Sequence, residues 1–163
     1  MKKIALLTLT LICLPIALSA QSREINEIFD RFEKKKSVES ITISPSLLSM
    51  TSSKGSNETA ELLSKISNMR ILNVPLRTTE NGQPVSKQLK YELDKIIKIY
   101  QFQRAVKVEE ESSSFELYMI NGNKGAVLFL SSDNSDFTSI AIFGEIDKTI
   151  VNSLLNGNIK VKK

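Results

Sequence analysis

The chain has 163 residues, a single cysteine (Cys13), no histidine and a formal net charge of +4. Without histidine, zinc and copper sites built on imidazole are excluded, as are serine and cysteine nucleophiles with a histidine base, unless a lysine takes the base's place. The length suits one domain that buries its own core.

The amino terminus reads as a cleavable secretory signal over residues 1–20. Lys2 and Lys3 give a short positive region, and Ile4 to Leu18 is apolar apart from Thr8, Thr10 and Pro15. Ser19 and Ala20 are the small residues that a signal peptidase accepts, so the expected cleavage lies between Ala20 and Gln21. The apolar run is shorter than the ~20 residues of a spanning helix and is broken by Pro15. Ile12 before Cys13 is too large for lipid attachment at that cysteine. Cleavage leaves a cysteine-free domain over residues 21–163, without disulfides. It also removes half of the formal charge, which leaves little electrostatic case for nucleic acid.

In the mature chain, Ile25, Ile28, Phe29 and Phe32 mark one face of a helix from Arg23 to Lys36. Ser22 is its expected N-cap, and Lys34, Lys35 and Lys36 suit the negative end of its dipole. A solvated helix end is favoured there over a polyanion site. Val38 to Ile43 alternates as a strand, with Ile41 and Ile43 on one face. Ser44-Pro45 ends it and starts a helical turn carrying Leu47, Leu48 and Met50, before a polar loop at 51–57. Glu58 to Met69 predicts a second helix with Leu62, Leu63, Ile66 and Met69 on one stripe. A short strand from Ile71 to Val74 is then limited by Pro75. Thr78 to Pro84, with Asn81-Gly82, reads as an exposed loop. Val85 to Tyr100 is a third helix with Leu89, Leu93, Ile96, Ile97 and Tyr100 inward.

Four strands follow. Phe102 to Val108 places Phe102, Val106 and Val108 on one side and Gln103 and Lys107 on the other. Phe115 to Ile120, Ala126 to Leu130 and Phe137 to Ile146 are joined by turns at Asn121–Gly125 and Ser131–Asp136, which makes an antiparallel meander. Ala126–Leu130 and Ile140–Phe143 are apolar on both faces, so the sheet centre is expected to be covered on both sides. Asp147 caps a last helix bearing Ile150, Val151, Leu154 and Leu155, which stops near Gly157 before a basic tail at Lys160–Lys163. The fold class is α+β: a meander of about four strands in the C-terminal half, two N-terminal strands and about four amphipathic helices.

Several motifs resemble chemical sites, and each has a simpler structural role. Asn121-Gly122-Asn123-Lys124-Gly125 lacks the following helix and the Lys-Ser/Thr of a phosphate loop, so a hairpin turn is expected. Asp133, Asn134 and Asp136 lack the alternation and closing Glu of a calcium loop and read as a polar turn. Glu109-Glu110-Glu111 could lend a carboxylate to glycoside cleavage, but adjacent acids at a strand end point apart. Ser64-Lys65 and Ser86-Lys87 are helix neighbours that do not face each other, and Ser-x-x-Lys occurs in neither helix. No catalytic, cofactor-binding or metal residue is expected from these motifs.

Ile28-Phe29-Asp30-Arg31-Phe32, the run Val38 to Pro45, Leu47-Leu48-Ser49-Met50, Ile71-Leu72 and Ile140 to Asp147 together resemble domain-of-unknown-function family 4252. The resemblance implies a small exported protein of Bacteroides-type bacteria, and it carries no catalytic residues. Many such proteins look lipid-anchored; Ser19-Ala20-Gln21 stands here where they carry a cysteine. The expectation is therefore a soluble periplasmic, or alternatively extracellular, binding or interaction module without enzymatic activity. Its partner would be an envelope protein or ligand. The alternatives are a hydrolase using carboxylates or a Ser–Lys pair, and a homo-oligomer formed at an open sheet edge.

Overall fold

The computed structural model describes residues 20–47, 61 and 63–155. The expected signal up to Ser19, the loop at 51–57, Leu48, Met50, Leu62, Gly157 and the basic tail lie outside the described residues.

The strands are β1 (Glu39–Ile43), β2 (Ile66–Pro75), β3 (Thr79–Glu80), β4 (Gln83–Pro84), β5 (Gln103–Glu109), β6 (Ser114–Ile120), β7 (Gly122–Ser132) and β8 (Asp136–Ile146). Six of them make one sheet in the order β1-β2-β8-β7-β6-β5, and every neighbouring pair is antiparallel. The meander of β5 to β8 is as the sequence predicts, and its last strand takes β2 as a further neighbour. The fold class is α+β.

One face of the sheet lies under two helices, α1 (20–32) and α2 (Val85–Ile99). Ile25, Ile28, Phe29 and Phe32 of α1 and Leu89, Leu93 and Ile96 of α2 pack with Leu72, Val74, Leu128, Leu130 and Phe137 of the sheet. Burying side chains of this size is the main favourable contribution to such a fold, at about 1.5–3 kcal/mol each. Arg70, 6% exposed, sits on β2 within this layer. Its guanidinium donates to Asp30 Oδ1 at 2.6 Å, to Glu33 Oε2 at 2.9 Å and to both the carbonyl and Oδ1 of Asn26, and it lies 5.4 Å from the Phe29 ring centre. Arg31 and Glu92 tie α1 to α2, and Tyr100 donates to Glu24 Oε1 at 2.8 Å.

The other face carries an apolar row through all six strands: Ile41, Ile71, Ile140, Phe129, Leu117 and Val106. At one end, Leu63, Ile66, Ile146 and Ile150 of α3 (Lys148–Leu155) bury Leu117, Val127 and Ile142. Both faces of the central strands are thus covered, as their two-sided apolar sequence requires. Toward the edges cover is lost, and Ile41 is 55% and Val108 44% exposed.

Several boundaries differ from expectation. The first helix ends at residue 32, so Lys34, Lys35 and Lys36 lie in the turn beyond it, where Ser37 adopts φ 64°. Ser22 is inside α1, not its cap. Ile66 and Met69 are strand residues: the predicted second helix is helical only up to residue 65 among its described residues, and β2 is ten residues long. Their spacing fits a helix, but pairing of β2 with both β1 and β8 satisfies its backbone on two sides and wins. Thr79–Pro84 forms a small hairpin, with Asn81 at φ 51° and Gly82 at φ 76° as its two-residue turn. A register shift between Arg104 and Val106 places Gln103 on the face of Val106 and Val108, while Phe102 joins the opposite core.

Candidate functional site

α2 begins with Pro84 as N-cap, an extended residue that offers no side-chain hydrogen bond, and its first turn holds no acid. The Val85 N–H donates to the Thr78 carbonyl at 2.9 Å. A helix leaves further N–H groups of its first turn without intrahelical acceptors. Beneath this turn the helix-side faces of β6, β7 and β8 present Ser114 beside Ser132 beside Phe137, and Glu116 beside Leu130. Between helix and sheet lies a groove of about 380 Å³, within the size range of small-molecule sites.

Leu76, Pro84, Leu130 and Phe137 give the groove its apolar surface, and Ser86, Lys87, Lys90, Ser114, Glu116 and Ser132 its polar one. Ser86 is 5% exposed, yet its hydroxyl has no hydrogen-bond partner among the described residues. Lys87 is exposed and forms no ion pair among them. Lys90, one helical turn from Ser86, donates to both carboxylate oxygens of Asp94 at 3.0 and 2.9 Å and lies 3.7 Å from Glu116 Oε2. Burial alone would lower the Lys90 pKa, but the Asp94 hydrogen bond and the charges of Asp94 and Glu116 outweigh it and hold the group above its usual value. Glu116 also accepts the Tyr118 hydroxyl at 3.1 Å and lies 3.8 Å from Arg104 Nη1. Burial raises the Tyr118 pKa, and the Glu116 charge adds to it against the lowering effect of Arg104.

Of the motifs singled out in the sequence, Ser86-Lys87 alone enters this groove. Ser64 donates to the Glu61 carbonyl, and Lys65 pairs with Asp147 at 2.8 Å. Asn121–Gly125 forms the tight β6–β7 connection, in which β7 starts at Gly122. Asp133 Oδ1 accepts from Ser135 N–H, Ser135 Oγ and Asp136 N–H, closing the β7–β8 turn, and these bonds hold its pKa down. Glu109, Glu110 and Glu111 are exposed; the Lys107 hydrogen bond at 2.7 Å lowers the Glu109 pKa, and Glu110 accepts from Ser113. Lys35 pairs with Glu80 and lies over the Phe32 ring, while Lys34 and Lys36 are exposed. Ala20 is half-buried in α1, and Gln21 is fully buried with Nε2 donating to the Lys124 carbonyl at 3.0 Å. Among the described residues, no three His, Cys, Asp or Glu side chains gather as metal ligands, and no helix is long and apolar enough to cross a membrane.

Lys90, Glu116, Ser114, Ser132 and Leu130 belong to none of the sequence motifs. The signal for Lys90 is its i,i+4 spacing from Ser86 on one helix face; the strand residues carry no local signal, because only sheet order brings them under α2.

The family model for a domain of unknown function, DUF4252, matches residues 32–154. The chain belongs to this family. The match takes in every strand and the whole groove, whereas Asn26, Phe29 and Asp30, which hold Arg70, lie before it. No curated protein and no solved structure matches the chain.

Proposed function

We propose that this chain is an exported, non-enzymatic binding module whose ligand enters the groove between α2 and the sheet. The observation that carries the reading is the groove: an apolar floor of ligand-sized volume, lined by the largely buried Ser86, whose hydroxyl has no partner among the described residues. Export rests on the sequence of residues 1–20, and cleavage between Ala20 and Gln21 remains part of the proposal. Binding is favoured over hydrolysis because a Ser–Lys mechanism needs a neutral lysine to take the serine proton. Lys90 is instead held as an ammonium by Asp94 and Glu116.

The test is a fragment library screened against the purified protein by amide chemical-shift mapping. Compounds shifting Ser86–Lys90, Ser114–Glu116 and Leu130–Ser132 together support the reading; a library with no such compound overturns it. Hydrolysis of an ester, peptide or glycoside that Ser86→Ala abolishes would establish the enzyme instead.

The exposed edges favour a second reading. Both β1 and β5 end the sheet, and Ile41 and Val108 stand out from them. A second copy pairing at such an edge predicts a dimer by light scattering that Ile41→Lys or Val108→Lys dissociates. A monomer across the accessible concentration range refutes it.

A further inference from the structure

The positive charge at the start of α2 is out of balance. The helix dipole places partial positive charge there, where acids are favoured and cations are not. This first turn has no acid and carries Lys87, with Lys90 one turn from Ser86. Lys90 is answered by Asp94 and Glu116, but Lys87 forms no ion pair among the described residues. Glu116 stands on the facing wall and is already engaged by the Tyr118 hydroxyl and the Lys90 and Arg104 cations. An independent observation marks the same end of the groove: the Ser86 hydroxyl, on a residue 95% removed from solvent, lines the cavity with no partner among the described residues. That hydroxyl is therefore free to donate to an anion seated in the groove, and a hydrogen bond to a charged acceptor is stronger than one to a neutral one. Beyond this point the floor turns apolar at Leu76, Leu130 and Phe137.

We propose that the groove takes a soluble amphiphile with an anionic head, a carboxylate or phosphate monoester on an alkyl chain. The head would sit at the first turn of α2 against Ser86 and Lys87, and the alkyl chain on Leu76, Leu130 and Phe137. This deepens the binding-module reading and rests on it. Head and floor supply different parts of recognition: charge-assisted hydrogen bonds fix orientation, and burial of the alkyl chain supplies affinity. The same arrangement disfavours a cationic amphiphile, whose head would meet Lys87 and the helix dipole.

The experiment is calorimetric titration of the protein with octanoate, octyl phosphate, octanol and octyltrimethylammonium, each below its micelle concentration. The anions are expected to bind at least about tenfold more tightly than octanol, with the cation weakest. Lys87→Glu and Ser86→Ala should each weaken the anions by about tenfold, leaving octanol affinity unchanged and lowering the melting temperature in neither case. If octanol and the cation bind as well as the anions, the groove is a binding site and the anionic head is refuted. If no probe binds while the fragment library finds compounds for the groove, the anionic amphiphile is refuted and the binding-module reading stands; if the library fails too, both fall. Sedimentation with phosphatidylglycerol vesicles in the absence of binding to any soluble probe overturns the soluble ligand.

Discussion

Replacing Arg70 by leucine tests how α1 is fastened to the sheet. The variant loses charge-assisted hydrogen bonds to Asp30 and Glu33, two bonds to Asn26 and the stacking on Phe29. Hydrogen bonds to charged groups contribute about 1.5–3 kcal/mol each when well buried. The Asp30 and Glu33 side chains are 54% and 32% exposed, so water recovers part of that loss and screens the rest. Leucine also removes the desolvated guanidinium, including an Nε that is buried without a partner among the described residues, and this offsets part of the loss again. The expected net cost is about 2–3 kcal/mol, or a melting temperature lower by roughly 6–12 °C for a domain of this size. Urea unfolding with an unchanged m-value measures it. The paired variant Asp30→Asn, Glu33→Gln should cost at least as much, because it leaves the Arg70 cation buried and unanswered. An Arg70→Leu protein as stable as the parent would refute the reasoning, and so would near-neutral loss of both acids.

Three further outcomes follow from backbone geometry and titration. Gly144 has φ 153°, and a Cβ there would overlap the Lys65 carbonyl oxygen and lie 3.0 Å from Ile66 Cα. Gly144→Ala should therefore cost on the order of 3 kcal/mol or more, while Gly82→Ala, with open space around it, should cost only about 1 kcal/mol; chemical denaturation of both separates overlap from φ strain. Gln101 closes α2 at φ 54°, with its own N–H donating to Lys98 and the Phe102 N–H to Ile97. In this Schellman geometry Gln101→Gly should stabilise by about 1 kcal/mol in the same assay. The Asp147 pKa is lowered from 3.8, first by the Lys65 hydrogen bond and then by the Ile150 N–H that caps α3. A lowered carboxyl stabilises the fold above its ordinary pKa, and that contribution is lost as pH falls through the lower folded-state value. Asp147→Asn keeps a capping acceptor without the charge, so its thermal deficit should be full near pH 6 and should shrink toward about pH 3; a deficit independent of pH would contradict the ion pair.

Periodicity made α2, the meander and the capped last helix legible, because each carries one pattern and a clear stop. β2 was half hidden. Leu63, Ile66 and Met69 fit a helical stripe as well as a strand, and the deciding interactions come from β8, some seventy residues on in sequence. Simple alternation puts Phe102 on the face of Val106, but the irregularity at Ala105, invisible in composition, reverses the alternation between them. The groove was less legible still. Ser86 was noticed only with its neighbour Lys87, and the walls facing it come from β6 and β7, whose serines look like ordinary strand-end residues until sheet order places them side by side.

The sheet order also sets a timetable for synthesis. β2 lies between β1 and β8, so one of its hydrogen-bonding edges has no partner until residues 136–146 have been made. At a usual 5–20 residues per second, the stretch from Pro75 to Ile146 takes about 4–14 s. Throughout that interval the nascent chain exposes a ten-residue strand whose Leu72 and Val74 end fully buried. Asn68, Arg70 and Asn73 interrupt its apolar run, and a charge within such a strand suppresses pairing with other chains. Arg70 thus protects the unfinished polypeptide before Asp30 and Glu33 make it part of the finished one.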